Sequence, residues 1–176
     1  MGERQFLLGL GSNIGNRADF ISQAIQKIGQ IPSVHLLAVS QAYDSDPVGY
    51  ANQPNFLNLC IAIVYKDNAD SLLHETAGIE SALGRVRTII DGPRTIDIDL
   101  LFCEREVFKS SNLILPHPRW SERSFVIYPL RQILQSPALA KEARWDWLRA
   151  EVAQINIGSE GLRIWNGPTP WNLTTT

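Results

Sequence analysis

Leu57, Leu59, Ile61, Ile63 and Tyr65 alternate with Asn58, Cys60, Ala62 and Val64, a run that is apolar on both faces apart from one amide. Strand side chains point to opposite faces in turn, so the pattern predicts a strand buried on both sides. Phe6 to Leu10 reads as an earlier strand, ended by Gly11-Ser12-Asn13. Ile21, Ala24, Ile25 and Ile28 fall at the i, i+3, i+4 and i+7 positions of an amphipathic helix that Gly29 and Pro32 stop. Val34 to Tyr43 predicts a second strand, followed by a loop from Asp44 to Asn55 rich in Asp, Pro, Gly and Asn. A second helix starts near Asp70-Ser71, with an inward stripe of Leu72, Thr76, Ile79 and Leu83 and a stop at Gly84. A strand around Asp97, a short one near Val107 and the segment Leu113 to His117 follow. Ser121-Glu122-Arg123-Ser124 suits the start of a short helix that Pro129 interrupts or restarts. Trp145 to Ile155 reads as helix, Leu162 to Trp165 as a last strand, and Asn166 to Thr176 as a frayed tail. Interspersed strands and helices make this an α+β sandwich of two or three layers.

One strand carries chemistry on its face. In Gly92-Pro93-Arg94-Thr95-Ile96-Asp97-Ile98-Asp99-Leu100-Leu101-Phe102, two carboxylates stand at i and i+2 of a β-branched run. They must point the same way, about 7 Å apart at ~3.3 Å of rise per residue, while Ile96, Ile98 and Leu100 pack on the other side. Like charges so placed repel unless a cation neutralises them. Magnesium suits the pair, since it takes one or two protein carboxylates and completes its shell with water and substrate phosphates. Arg94, just upstream, is the residue type best shaped for bidentate phosphate contact.

Composition narrows the class. In a chain of 176 residues, 44% apolar and 19% charged, one domain with a real core is expected. A net charge of −2 provides no broad basic footprint for nucleic acid or an anionic membrane. Cys60 and Cys103 lie in apolar runs and read as buried thiols of a reducing compartment, not as a disulfide or metal site. The N-terminal residues lack a signal-peptide layout, and no apolar run nears the ~18–20 residues of a membrane span. A cytoplasmic setting is expected.

Four segments carry a family likeness when taken together: Leu8-Gly9-Leu10-Gly11-Ser12-Asn13; Asp46 to Asn58; Gly92 to Phe102; and Leu115-Pro116-His117-Pro118-Arg119 with Glu122 to Val126 and Pro129-Leu130. In this order and spacing they resemble the 6-hydroxymethyl-7,8-dihydropterin pyrophosphokinases, over roughly residues 5 to 135. The resemblance implies a ferredoxin-like α+β sandwich, its largely antiparallel central sheet flanked by helices. It also implies the folate-pathway reaction in which the pyrophosphoryl group of ATP moves to the pterin's hydroxymethyl arm and AMP leaves. The partners implied are ATP and a pterin alcohol; the charge balance leads us to expect no nucleic acid or membrane partner, and a monomer is expected over an oligomer.

The resemblance also assigns residues. Asp97 and Asp99 match the ligands of two Mg2+ ions; with Arg85 and Arg94 they form the catalytic set. ATP-binding positions are Glu80, Arg87, Arg94, Leu100, Ile114, His117 and Arg123, with Arg85 and Arg87 projecting toward the triphosphate. The pterin positions are Ser45, Asp46, Val48, Phe56, Asn58 and Phe125. Phe56 and Phe125 would sandwich the ring, and the Asn58 amide would offer it both donor and acceptor. An amide in a buried strand needs a polar partner in any case.

The chain departs from the family at three places. Thr88-Ile89-Ile90-Asp91 has no positive charge where basic residues usually close over ATP, Ala77 stands where Gln is frequent, and Asn112 replaces a basic residue. The expectation is a competent but slow magnesium-dependent pyrophosphokinase. The competing readings are a homologue that binds pterin or ATP without efficient transfer, and a ferredoxin-like RNA-binding module, which would need a basic face and exposed aromatics on its sheet.

Overall fold

The computed structural model describes residues 2–85 and 91–171. Its strands are β1 (Arg4–Ser12), β2 (Val34–Val39), β3 (Tyr43–Ser45), β4 (Phe56–Tyr65), β5 (Asp97–Cys103), β6 (Phe108–Lys109), β7 (Ile114–Leu115) and β8 (Leu162–Ile164). The α-helices among the described residues are α1 (Arg17–Gly29), α2 (Ala69–Ala82), α3 (Ser124–Leu134) and α4 (Asp146–Gln154). The main sheet runs β5-β1-β4-β3-β8, with β2 also on β4 and every pairing antiparallel. β6 and β7 form a separate ribbon.

A core lies on each face of the sheet. Leu8, Leu10, Leu59, Ile61, Ile63, Ile98 and Leu100 pack against Ile21, Ile25 and Ile28 of α1 and Leu72 and Ile79 of α2. Leu7, Cys60, Ala62, Leu101 and Phe102 pack against Ile127, Leu130 and Ile133 of α3 and Leu148 and Val152 of α4. The β4 run is thus buried on both faces, as its pattern predicts. Both cysteines are buried free thiols.

The structure departs from the sequence pattern in four places. The strand predicted over Val34–Tyr43 is two strands: Leu37 bulges out of register between Leu36↔Ile63 and Ala38↔Ala62. Ser40 then replaces a ladder group, its Oγ accepting from the Cys60 N–H at 2.8 Å. β3 takes Asp44 and Ser45 out of the predicted loop. In β5, Leu8↔Leu100 and Leu7↔Phe102 leave Leu101 as the extra residue, so Leu101 and Phe102 both face α3 and α4. Pro129 does not interrupt α3. Its missing N–H leaves the Phe125 carbonyl without a helical donor, but the stripe of Val126, Ile127, Leu130 and Ile133 stays buried and carries the helix through. Finally, the tail predicted to fray from Asn166 is held down as far as Trp171, which is 5% exposed, with Trp165 on the same core; positions 172–176 lie outside the described residues. Indoles bury enough apolar area to hold a chain end down. No helix among the described residues is long and apolar enough to cross a membrane.

Candidate active site

Three strands place the site by register. Gly11 of β1 stands opposite Asp97 of β5 on one side and Asn58 of β4 on the other, and Gly9 stands opposite Asp99 and Cys60. Directly opposed residues share a face, so two carboxylates, two glycines, an amide and a thiol form two adjacent rows. The glycines sink the middle of those rows into a trough. A Cβ on Gly11 would stand 2.6 Å from Asn58 Oδ1, and one on Gly9 would stand 3.5 Å from Leu101 Cδ1. The trough is the floor of a cavity of about 140 Å³ whose walls come from α3, β3 and the loop after it.

Ten predicted residues line this cavity: Ser45, Asp46, Val48, Phe56, Asn58, Arg94, Asp97, Asp99, Arg123 and Phe125. The Asn58 amide finds its polar partner in Ser45, donating from Nδ2 to Oγ at 2.6 Å. Arg94 stands 5.9 Å from the Phe56 ring centroid and Arg123 stands 5.6 Å from that of Phe125. Aromatic walls and guanidinium groups therefore adjoin, which suits a flat ring carrying a charged group at one edge.

The acidic pair is asymmetric. Asp97 accepts from Arg94 Nη1 at 2.8 Å and from Arg85 Nη1 at 2.9 Å. Among the described residues no arginine pairs directly with Asp99; burial, with the charge of Asp97 added and only partly offset by Arg123 and Arg94, pushes its carboxyl up to about 7. Arg85 also pairs with Glu80, whose Oε2 accepts from the Ile98 N–H at 3.0 Å. Burial raises the Glu80 pKa, partly offset by that N–H and by Arg85. Glu80 is thus part of the network behind the acidic pair, not an exposed helical carboxylate: its side chain is 13% exposed.

The remaining predicted positions lie off the cavity. Leu100 points into the α1–α2 core, so contact with a ligand would come through its backbone at the sheet edge, where the neighbouring Ile98 N–H already points outward to Glu80. Ile114 is exposed on the β6–β7 ribbon. His117 follows that ribbon and is tied to β5, its N–H donating to the Leu101 carbonyl at 2.9 Å. Burial first, then Arg123, lowers its pKa. Arg87, with Thr88, Ile89 and Ile90 of the uncharged loop, lies outside the described residues.

Residues with no assigned role complete the site. Asn13, 1% exposed, accepts the Arg94 N–H at 2.8 Å and donates to Gln53 Oε1 at 2.9 Å and the Pro54 carbonyl at 3.0 Å. Gln53 donates onward to the Asp91 carbonyl at 2.8 Å. One buried amide so ties the Arg94 segment to the loop over the ring-sized end. The Gly-Ser-Asn ending of the first strand was its signal in the sequence. Arg119 also lines the cavity, a further cation in a site whose neighbouring loop lacks one.

An aromatic slot joined to paired carboxylates and several arginines defines an enzyme that moves a phosphoryl-type group onto a flat heterocycle. The sequence profile of the 7,8-dihydro-6-hydroxymethylpterin-pyrophosphokinases matches residues 7–135, and the chain belongs to that family. It is 42% identical over 158 residues to a 2-amino-4-hydroxy-6-hydroxymethyldihydropteridine pyrophosphokinase of Bacillus subtilis, covering 90% of this chain and 88% of that one. It is 44% identical over 126 residues to a folic acid synthesis protein of Pneumocystis carinii, covering 72% of this chain but 17% of that longer one. A crystal structure of Plasmodium falciparum HPPK-DHPS with pterin and p-hydroxybenzoate superposes with a TM-score of 0.60 at 13% identity, over 93% of this chain and 47% of that one. At such identity the superposition speaks for the fold.

Proposed function

We propose that the chain transfers the pyrophosphoryl group of ATP to the hydroxymethyl group of 6-hydroxymethyl-7,8-dihydropterin in folate biosynthesis, releasing AMP. The row Asp97–Gly11–Asn58 carries the reading, because it sets a phosphate-side carboxylate and a ring-reading amide on one floor with room between them. The hydroxymethyl oxygen attacks the β-phosphorus, the bridging bond to the α-phosphate breaks, and the hydroxyl proton passes to solvent. Arg94, Arg119 and Arg123 hold the phosphates, and Phe56 and Phe125 hold the ring, so that the reactants meet in line. Asn13 keeps those two sets in register.

Asp97 and Asp99 fit a hard divalent ion. Both are oxygen donors on one face of β5, and burial beside Asp97 disfavours the Asp99 charge, a penalty that a hard cation would relieve. Bound there, Mg2+ would screen the triphosphate and favour ionisation of the hydroxyl. Among the described residues no group of three or more His, Cys, Asp or Glu gathers at one point, so substrate phosphates and water would complete the shell.

The element order β1-α1-β2/β3-β4-α2-β5 and the sheet order β5-β1-β4-β2/β3 support a ferredoxin-like sandwich, to which α3 and α4 add a third layer. A monomer in the cytoplasm is the setting we propose.

Incubation with ATP, Mg2+ and the pterin alcohol is expected to release AMP and the pterin pyrophosphate; ATP consumption without a pterin product would refute the reading. Phe125→Ala is expected to weaken pterin binding by roughly 1–3 kcal/mol, the scale of a lost stacking partner, with little effect on an ATP analogue. Equal losses for both ligands in a calorimetric titration would instead make Phe125 a core residue.

A further inference from the structure

A stretch of chain beyond the residues that the family profile matches runs along both walls of the cavity's ring-binding end. On the helix side, Tyr128 Oη donates to the Ile157 carbonyl at 3.2 Å. Arg131 Nη2 donates to the carbonyls of Val152 and Ile155 at 3.2 and 2.6 Å. Both residues sit on α3, whose Phe125 and Pro129 line the cavity. On the strand side, β8 pairs with β3 through Tyr43↔Ile164 and Ser45↔Leu162, and Ser45 and Asp46 line the cavity opposite.

The contacts converge on Asp46. Its N–H donates to the Gly161 carbonyl at 2.8 Å, so that backbone donor is already engaged. The Asp46 carboxylate is held from the same side. Arg163 Nη2 donates to that carboxylate at 2.9 Å and to Asp44 Oδ1 at 3.0 Å. Asp44 is held from its other side by Arg17 Nη1 at 3.1 Å. Gly161 has φ +71°, and a Cβ there would stand 2.7 Å from Asp46 Oδ2. Only glycine both adopts this turn and leaves the carboxylate where Arg163 holds it.

We propose that Gly161 and Arg163 are positioning residues of the pterin subsite. They hold Asp46, and with it the Ser45–Asn58 pair, against the polar edge of the bound ring. This rests on the reading that the cavity takes the pterin. It gives the C-terminal segment a part in substrate recognition that touches neither ATP nor the acidic pair.

The test is steady-state kinetics for each substrate, direct pterin titration and thermal melts, on wild type, Arg163→Ala, Arg163→Lys and Gly161→Ala. The Arg163 side chain is 51% exposed, so its replacement spares the fold, and an ion pair at the surface has a modest effect. The expected result is a rise in pterin KM of about threefold for Arg163→Ala and about tenfold for Gly161→Ala. The ATP KM and kcat stay within about twofold, and Arg163→Lys restores most of the loss. An unchanged pterin KM in both alanine variants would overturn the proposal. So would pterin and ATP KM rising together with a lowered melting temperature, the mark of a merely structural segment. A wild type that binds pterin but releases no AMP would sink the proposed reaction alone, and pterin titration of the variants would still decide the positioning role.

Discussion

Asp97→Asn and Asp99→Asn are both expected to reduce AMP release to near background, yet to move the stability of the metal-free protein in opposite directions. Activity is expected to fall because each variant removes a negative oxygen from the side that, in the proposed reaction, faces a cation and the triphosphate. Stability splits because the neighbours differ. Asp97 accepts from two arginines, one of them, Arg85, only 9% exposed. Removing its charge leaves that guanidinium with less compensation, at a cost of roughly 1–3 kcal/mol. Asp99 is the reverse case. Its carboxyl is raised from 3.8 to about 7 by burial and by Asp97. A carboxyl with a folded pKa above its unfolded one stabilises nothing at neutral pH; it costs stability progressively as pH climbs from about 4 to 7. Asn mimics the protonated form, so Asp99→Asn is expected to stabilise the metal-free protein by on the order of 1–3 kcal/mol at pH 7.5, a gain that vanishes near pH 4. Thermal melts with chelator at both pH values check it. Both melting temperatures shifting the same way would contradict the asymmetry, and near-wild-type AMP release from either variant would remove the pair from the chemistry.

Gly11→Ala is expected to weaken pterin binding about a hundredfold while leaving ATP-analogue binding nearly intact. The added methyl would stand 2.6 Å from Asn58 Oδ1 and 3.7 Å from Phe56 Cδ1. The floor strand is hydrogen-bonded on both sides, so the amide must yield instead. Turning it away breaks its bond to Ser45 and strands a polar group in a buried trough. Gly9→Ala is the control: its methyl would meet Leu101 Cδ1 at an ordinary 3.5 Å. Calorimetric titration of both variants with pterin tests the pair, and equal, small losses would mean that the trough is not where the ring lies.

The sequence by itself assigns neither glycine a role, for a physical reason. An added methyl matters only when something faces it, and what faces Gly11 comes from a strand 47 positions away in the register Gly11↔Asn58. The Gly-Ser-Asn strand ending marks Asn13, but not its role, since its amide bonds to Arg94 and Gln53, neither of them a sequence neighbour. The same holds for Arg163, whose partners Asp44 and Asp46 belong to a stretch that reads as loop.

What the amino-acid sequence determined by itself is whatever depends on period and local spacing. The doubly buried β4, the apolar faces of α1 and α2 and the shared face of Asp97 and Asp99 follow from alternation and helical repeat, which neighbours along the chain impose on each other. The motif order likewise identified the family without coordinates. Tertiary structure alone decided what depends on register between distant strands. Bulges at Leu37 and Leu101 turned side chains that simple alternation would place on the other face, and Trp171 packed down a tail whose local composition predicts fraying. It also divided the labour of two equivalent-looking aspartates, pairing Asp97 with two arginines and leaving Asp99 buried with only the more distant charges of Arg123 and Arg94 to offset burial. Charge compensation is a matter of distance in space, and two residues of the same strand can differ in it completely.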